Sequence, residues 1–158
     1  MKKFFLSVFV LAVTLTTLSC NKDDDNNGDN GGGNQAQLIV TIDGQELTFD
    51  SIIVDRYDYT DDGGGTELDI TATIGGGTGR IITFYTYVGD TGANAIYNFG
   101  YTLNGVYYSG FNNFVSVTNV NNGSRLEVNF SGTLGGYDEV NQEEIFVTLE
   151  NGTIAVDF

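Results

Sequence analysis

From residue 36 to residue 158 the chain alternates apolar and polar residues with a period of two, and the alternation breaks at Asp-Gly and Asn-Gly pairs. Period two puts alternate side chains on opposite faces of a strand, and Asx-Gly pairs supply the positive φ angles of tight hairpin turns. A turn at Asp43-Gly44 opposes Val40 to Leu47 and Leu38 to Phe49. A turn at Asn104-Gly105 opposes Leu103 to Val106 and Tyr101 to Tyr108. A third, at Asn122-Gly123, sets Val117 against Val128, Val115 against Phe130 and Asn119 against Leu126, leaving Ser116 and Thr118 on the opposite face. A fourth, at Asn151-Gly152, sets Leu149 against Ile154, Val147 against Val156 and Ile145 against Phe158.

Longer strands lie between these turns. Thr66 to Ile74 sends Leu68, Ile70, Ala72 and Ile74 inward and Glu67, Asp69, Thr71 and Thr73 outward. Arg80 to Val88 is apolar on both faces, as in a central or covered strand. Ser51 to Tyr59 is mixed. The connections "TDDGGG", "GGGTG" and "GDTGAN" are short, so strands adjacent in sequence are expected to be adjacent in space. The expectation over 36–158 is an all-β fold without helices: about ten antiparallel strands, mostly a meander, stacked as a β-sandwich or closed as a flattened barrel.

The first 35 residues follow another pattern. Lys2 and Lys3 precede a 15-residue apolar run from Phe4 to Leu18, short for a membrane-spanning helix but suited to a signal peptide. The run ends in "TLSC", which resembles the lipobox of bacterial lipoproteins, with Ser19 and Cys20 in place and Thr17 where Leu is commonest. The resemblance implies a lipoprotein signal peptide over 1–19, acylation of Cys20 and attachment to the membrane through that lipid. "NKDDD" after Cys20 resembles the lysine-plus-acid export signal of Bacteroidetes-type surface lipoproteins, which implies the outer membrane and the cell surface. Asp23, Asp25, Asn27 and Gly28 match the opening of an EF-hand loop, but Asn34 stands where its bidentate Glu belongs and no helical pattern flanks it. Residues 20–35 therefore read as a lipidated cysteine on a flexible, acidic, Asn/Gly-rich tether.

Composition narrows the function classes. The sequence has 22 Gly, 9 Tyr, 11 Phe and no Pro, Trp or His, and its net charge is −15. Such acidity opposes phosphate backbones and argues against nucleic acid as a partner. One Cys and no His exclude an intrachain disulfide, a His/Cys zinc site and His-dependent nucleophile systems. "GGGTGR" lacks the Lys-Ser/Thr and the helix of a phosphate loop. Carboxylates are the plentiful reactive groups. Glu67, Asp69 and Glu127 could serve a glycosidase only if buried and paired, and their outward positions oppose that. Asp61 and Asp62, before three glycines, are weak calcium candidates, and Asp90 and Asp138 sit in similar loops; Asp and Gly are also ordinary turn residues. No cofactor is expected.

The strand-and-turn motifs "VTIDGQELTF", "AIYNFGY", "LEVNFSGTL" and "ENGTIAVDF" occur here in that order. In this the chain resembles a family of small Bacteroidetes-type outer-membrane lipoproteins classed as a domain of unknown function, over roughly residues 36–158. The resemblance implies the architecture and the location and carries no catalytic residues.

The binding candidates are tyrosines. Tyr85 and Tyr87 share one strand face; if Ile82 and Phe84 point to the core, they flank Glu67 and Asp69, and Tyr57 and Tyr59 extend the patch. Rings beside carboxylates can hold a sugar or a basic peptide. The sequence thus points to a non-enzymatic, lipid-anchored envelope protein acting as a binding or interaction module for a glycan or an envelope protein. A structural envelope protein without a small-molecule ligand is the alternative, followed by a surface glycoside hydrolase.

Overall fold

The computed structural model describes residues 36–110 and 113–158. The expected signal peptide, Cys20 and the tether lie outside the described residues. Eleven strands form one antiparallel sheet that curls into a nearly closed barrel. They are β1 (Gln37–Ile42), β2 (Gln45–Phe49), β3 (Ser51–Asp58), β4 (Thr66–Thr73), β5 (Arg80–Tyr87), β6 (Gly92–Ala93), β7 (Tyr97–Leu103), β8 (Val106–Gly110), β9 (Val115–Asn121), β10 (Arg125–Asp138) and β11 (Glu143–Asp157). Among the described residues the only helical element is a 3-10 turn at Thr60–Asp62.

Around the barrel the order is β2-β1-β11-β10-β8-β7-β5-β4-β3. From β3 to β5 and on through β7, β8, β10 and β11 this is a meander; the β1–β2 hairpin then joins the far side by pairing β1 with β11. β2 and β3 end the path, yet only Asp50 separates them along the chain, so the strand turns a corner there. Asp50 fixes that corner by accepting the Gly75 amide at 2.6 Å. Arg56 on β3 donates to the Gly123 carbonyl of the β9–β10 turn at 3.0 Å and ties the β3 edge to that turn.

The interior is packed with side chains. Leu38, Val40, Phe49, Leu68, Ile70, Ala72, Ile82, Leu126, Val128, Leu134 and Leu149 are each at most 1% exposed. Phe99 sits among rings at one end, with centroids 4.6 Å from Phe114, 4.8 Å from Phe130 and 5.8 Å from Phe84.

The Asp43-Gly44 and Asn104-Gly105 hairpins have the expected registers. The other two differ. At the third turn the chain spends two extra residues: Asn122 Oδ1 collects the Ser124 amide, the Ser124 hydroxyl and the Arg125 amide. The ladder then runs Asn121 to Leu126, slips at a bulge, and continues as Thr118 to Val128 and Ser116 to Phe130. A one-residue slip exchanges the faces of a strand. Ser116 and Thr118 are therefore buried, while Val115 and Val117 are 52% and 45% exposed.

The fourth hairpin does not form. β11 runs straight through Asn151-Gly152 and pairs with β10 from end to end. The pair forms a bulge instead, with Asn151 at φ 52°, and the register shifts there against both β10 and β1. A bulge bends and twists its strand, and here it lets a 15-residue strand follow the barrel wall. Ile74, expected inward, falls just beyond β4 and is 37% exposed.

Candidate functional site

The outer face of β3, β4, β5 and β7 gathers the predicted tyrosines. Ile82 and Phe84 do point inward, so Tyr85 and Tyr87 point outward. Cross-strand pairing builds two rows. In one, Tyr57, Glu67 and Tyr87 are successive neighbours on β3, β4 and β5. In the other, Asp55, Asp69, Tyr85 and Tyr97 follow one another from β3 to β7. Tyr85 stacks on Tyr97 with centroids 5.2 Å apart, and Tyr87 meets both rings at 5.8 and 5.9 Å. Tyr59 lies past the end of β3, where its backbone closes the loop to Gly64 and Gly65. Tyr57 and Tyr59 are 45% and 44% exposed. Tyr97 was not among the predicted residues. No signal in "IYNFGY" separates it, because Tyr97, Phe99 and Tyr101 keep an unbroken period of two and only the bulge at Asn98 turns Tyr97 outward.

The carboxylates interact with these rings. The Glu67 carboxylate accepts from the Tyr87 hydroxyl and raises the phenol above its ordinary pKa. Tyr97 donates to Asp90 Oδ2 at 3.2 Å and is raised for the same reason. Asp69 is raised by partial burial and then by the negative charges of Glu67 and Asp55. Glu127 lies elsewhere, bound to Arg125 at 2.6 Å. Asp61 belongs to the 3-10 turn and is exposed, and the turn ends where Gly63 adopts a left-handed conformation. The two loop aspartates do hydrogen-bonding work: Asp138 Oδ1 accepts the Val140 and Asn141 amides, and Asp90 holds Tyr97. Among the described residues, no group of three or more His, Cys, Asp or Glu side chains is placed to hold a metal ion.

Beyond the predicted patch the outer face continues as a trough. Tyr107 on β8 lies across Gly100 on β7, where a Cβ would fall 2.4 Å from its ring. Three adjoining recesses of about 280, 420 and 360 Å³ all have Tyr107 in their lining. The first also reaches Asp69 and Tyr85, and the last reaches Tyr137, Glu144 and Phe146. These residues could not be grouped from sequence because the grouping depends on the β8–β10 pairing, which no turn motif signals.

The interior holds a polar site as well. Thr86 Oγ1 donates to the Ala95 carbonyl at 2.7 Å, and Asn121 Nδ2 donates to Thr86 Oγ1 at 3.2 Å and to the Tyr87 carbonyl at 2.8 Å. Thr118 Oγ1 and Asn121 Oδ1 are buried beside this network without a protein partner. The network joins β5, the strand bearing Tyr85 and Tyr87, to β9 and to the segment before β7.

No protein-family model matches the chain, and searches of curated proteins and of solved structures also find no match.

Proposed function

We propose that this chain is a lipid-anchored protein of the outer membrane, one of the small Bacteroidetes-type lipoproteins it resembles, and that its β-domain is a non-enzymatic binding module at the cell surface. The location is supported by the apolar run ending in "TLSC" and by the "NKDDD" tag after Cys20. The binding role is supported above all by one observation. Tyr85, Tyr87 and Tyr97 form a contiguous ring cluster on the outside of the barrel, flanked by Glu67 and Asp69. Cross-strand aromatic pairs also stabilise a sheet, but these rings face outward beside hydrogen-bond acceptors, an arrangement that can hold a ligand.

The anchor is tested by labelled fatty-acid incorporation in cells: Cys20→Ala abolishes labelling, and labelling that persists refutes the anchor. Protease treatment of intact cells releases the domain, and full protection refutes surface exposure. The module is tested by pull-down of envelope proteins and glycans with the wild-type chain and with Tyr85→Ala/Tyr87→Ala. The expected result is capture by the wild type that the double variant loses; equal capture by both removes the tyrosine face from the reading.

A further inference from the structure

We propose that the trough centred on Tyr107 binds a neutral oligosaccharide; this rests on the binding-module reading and assigns it a ligand class.

The floor of the trough is a row paired strand to strand: Thr71 with Thr83, Thr83 with Gly100, Gly100 with Ser109, Ser109 with Gly135 and Gly135 with Phe146. Small residues in the middle of this outward row leave a channel across five strands and onto a sixth. Tyr107 lies in the channel rather than beside it. Its ring covers Gly100 and buries it, yet Tyr107 itself is 52% exposed. One ring face rests on the backbone and the other is left for a ligand. The negative face of an aromatic ring attracts the C–H face of a sugar ring, and a flat ring with only two side-chain torsions loses little conformational freedom on binding.

The polar groups along the channel suit hydroxyls. Asn98 lines the first and middle recesses, and Ser109 lines the middle and last. Asn98 is held at φ 49° at a bulge in β7, a device that re-aims a side chain beside a site. Asp69 stands at one end of the channel and Glu144 at the other. Amide and hydroxyl groups both donate and accept, and carboxylates accept from sugar hydroxyls.

Charge selects among ligands. Residues 36–158 contain 17 acidic and three basic residues, so uronic, sulfated and phosphorylated chains are repelled. A basic peptide would gain from that charge, but among the described residues the middle recess has no carboxylate in its lining to pair with it. The three recesses share lining residues in sequence, so the occupant is a chain of several sugar units.

The test uses the full-length protein in detergent, titrated calorimetrically with neutral hexasaccharides of glucose, mannose, xylose and N-acetylglucosamine, with hexagalacturonate and with hexalysine. At least one neutral hexasaccharide binds saturably, with an affinity unchanged by added salt because no counterions are released. Tyr107→Ala weakens it by about tenfold or more, equivalent to losing one good contact. Gly100→Ala, which displaces the ring without deleting it, weakens it in the same direction. Val117→Ala, exposed on β9 and outside the trough, leaves it within about twofold. Melting curves show whether each variant is folded. Absence of binding by every neutral sugar at about 10 mM, below even the weakest affinities of interest, overturns the proposal. So does binding that Tyr107→Ala and Gly100→Ala leave intact. Salt-sensitive binding of hexalysine without any neutral sugar also overturns the glycan and leaves the binding-module reading standing.

Discussion

Two glycines show how the same collision has opposite consequences on the two sides of the barrel wall. A Cβ at Gly152 would fall 2.3 Å from the ring of Phe130, and one at Gly100 would fall 2.4 Å from the ring of Tyr107. Phe130 is 4% exposed and packs against Phe99 and Phe114, so it has nowhere to go. Gly152→Ala is therefore expected to destabilise the fold by about 1–3 kcal/mol, the usual cost of overpacking a core. Tyr107 can swing into solvent, so Gly100→Ala is expected to stay within about 0.5 kcal/mol of wild type. Urea denaturation of both variants checks this, and equal losses would mean that Tyr107 is held as firmly as a core ring. Asp69 gives a second prediction at this scale. Its folded-state pKa is raised by burial and by Glu67 and Asp55, so its ionised form opposes folding. That opposition is present above the raised pKa and fades as pH falls through it toward the unfolded value. Asp69→Asn is thus expected to gain a few tenths to about 1 kcal/mol at pH 7, the range for like-charged cross-strand neighbours. The gain should vanish on acidification through the carboxylate range; urea midpoints at neutral and acid pH test it, and a gain that survives in acid would rule out the charge explanation.

At the scale of single strands, β9 is the informative one, because its register decides what is buried. The one-residue bulge between the Glu127 and Val128 pairings places Thr118 inside with its hydroxyl unpartnered and turns Val117 outward. A buried hydroxyl without a partner costs about 1–3 kcal/mol, so Thr118→Val is expected to stabilise the domain by about 1 kcal/mol. In the register that the alternation alone suggests, Thr118 would face solvent and the change would be nearly neutral. Guanidinium midpoints separate the two, and a neutral or destabilising result would argue for that other register or for a hydroxyl that is hydrogen-bonded. This strand also shows where the sequence could and could not be read. Alternation and turn chemistry agree for β1–β2 and β7–β8, and both registers follow from them. They agree equally for Val115 and Val117, yet the Asn122 side chain captures three donors and lengthens the turn. Asn151-Gly152 is as good a hairpin signal as Asn104-Gly105. It becomes a bulge because β11 is long enough to keep pairing with β10 and β1 on either side. Local turn grammar states which residues can take a positive φ; the number of partners along the strand decides whether the chain reverses there. The tyrosine patch was legible because β4 and β5 pair in a register set by one clean alternation. The trough was not, because Gly135 joins Gly100 and Ser109 only through the β8–β10 pairing, which no turn motif signals.

Over the whole domain, charge and topology pull against one another. Three basic residues are set among 17 acidic ones between residues 36 and 158, and they lie on a barrel whose two path ends must be held together. Arg56 bonds the β3 edge to the β9–β10 turn, and Arg125 bridges Glu127 and Asp157 at 2.6 and 2.7 Å. Salt acts on both features with opposite signs. It weakens the exposed Arg125 ion pairs, each worth about 0–1 kcal/mol, and it screens the repulsion among the unpaired carboxylates. The carboxylates outnumber the pairs severalfold, so screening should win. Raising ionic strength from about 0.01 to about 0.5 M shrinks the Debye length from roughly 30 Å to below about 8 Å. The melting temperature is therefore expected to rise by several degrees with sodium chloride. Guanidinium chloride should accordingly report a higher extrapolated stability than urea, because only guanidinium chloride is itself a salt. A melting temperature that falls with salt would mean that the Arg125 bridges to Glu127 and Asp157 outweigh the repulsion. In that case Arg125→Ala should lower the melting temperature of the domain and remove most of its salt dependence.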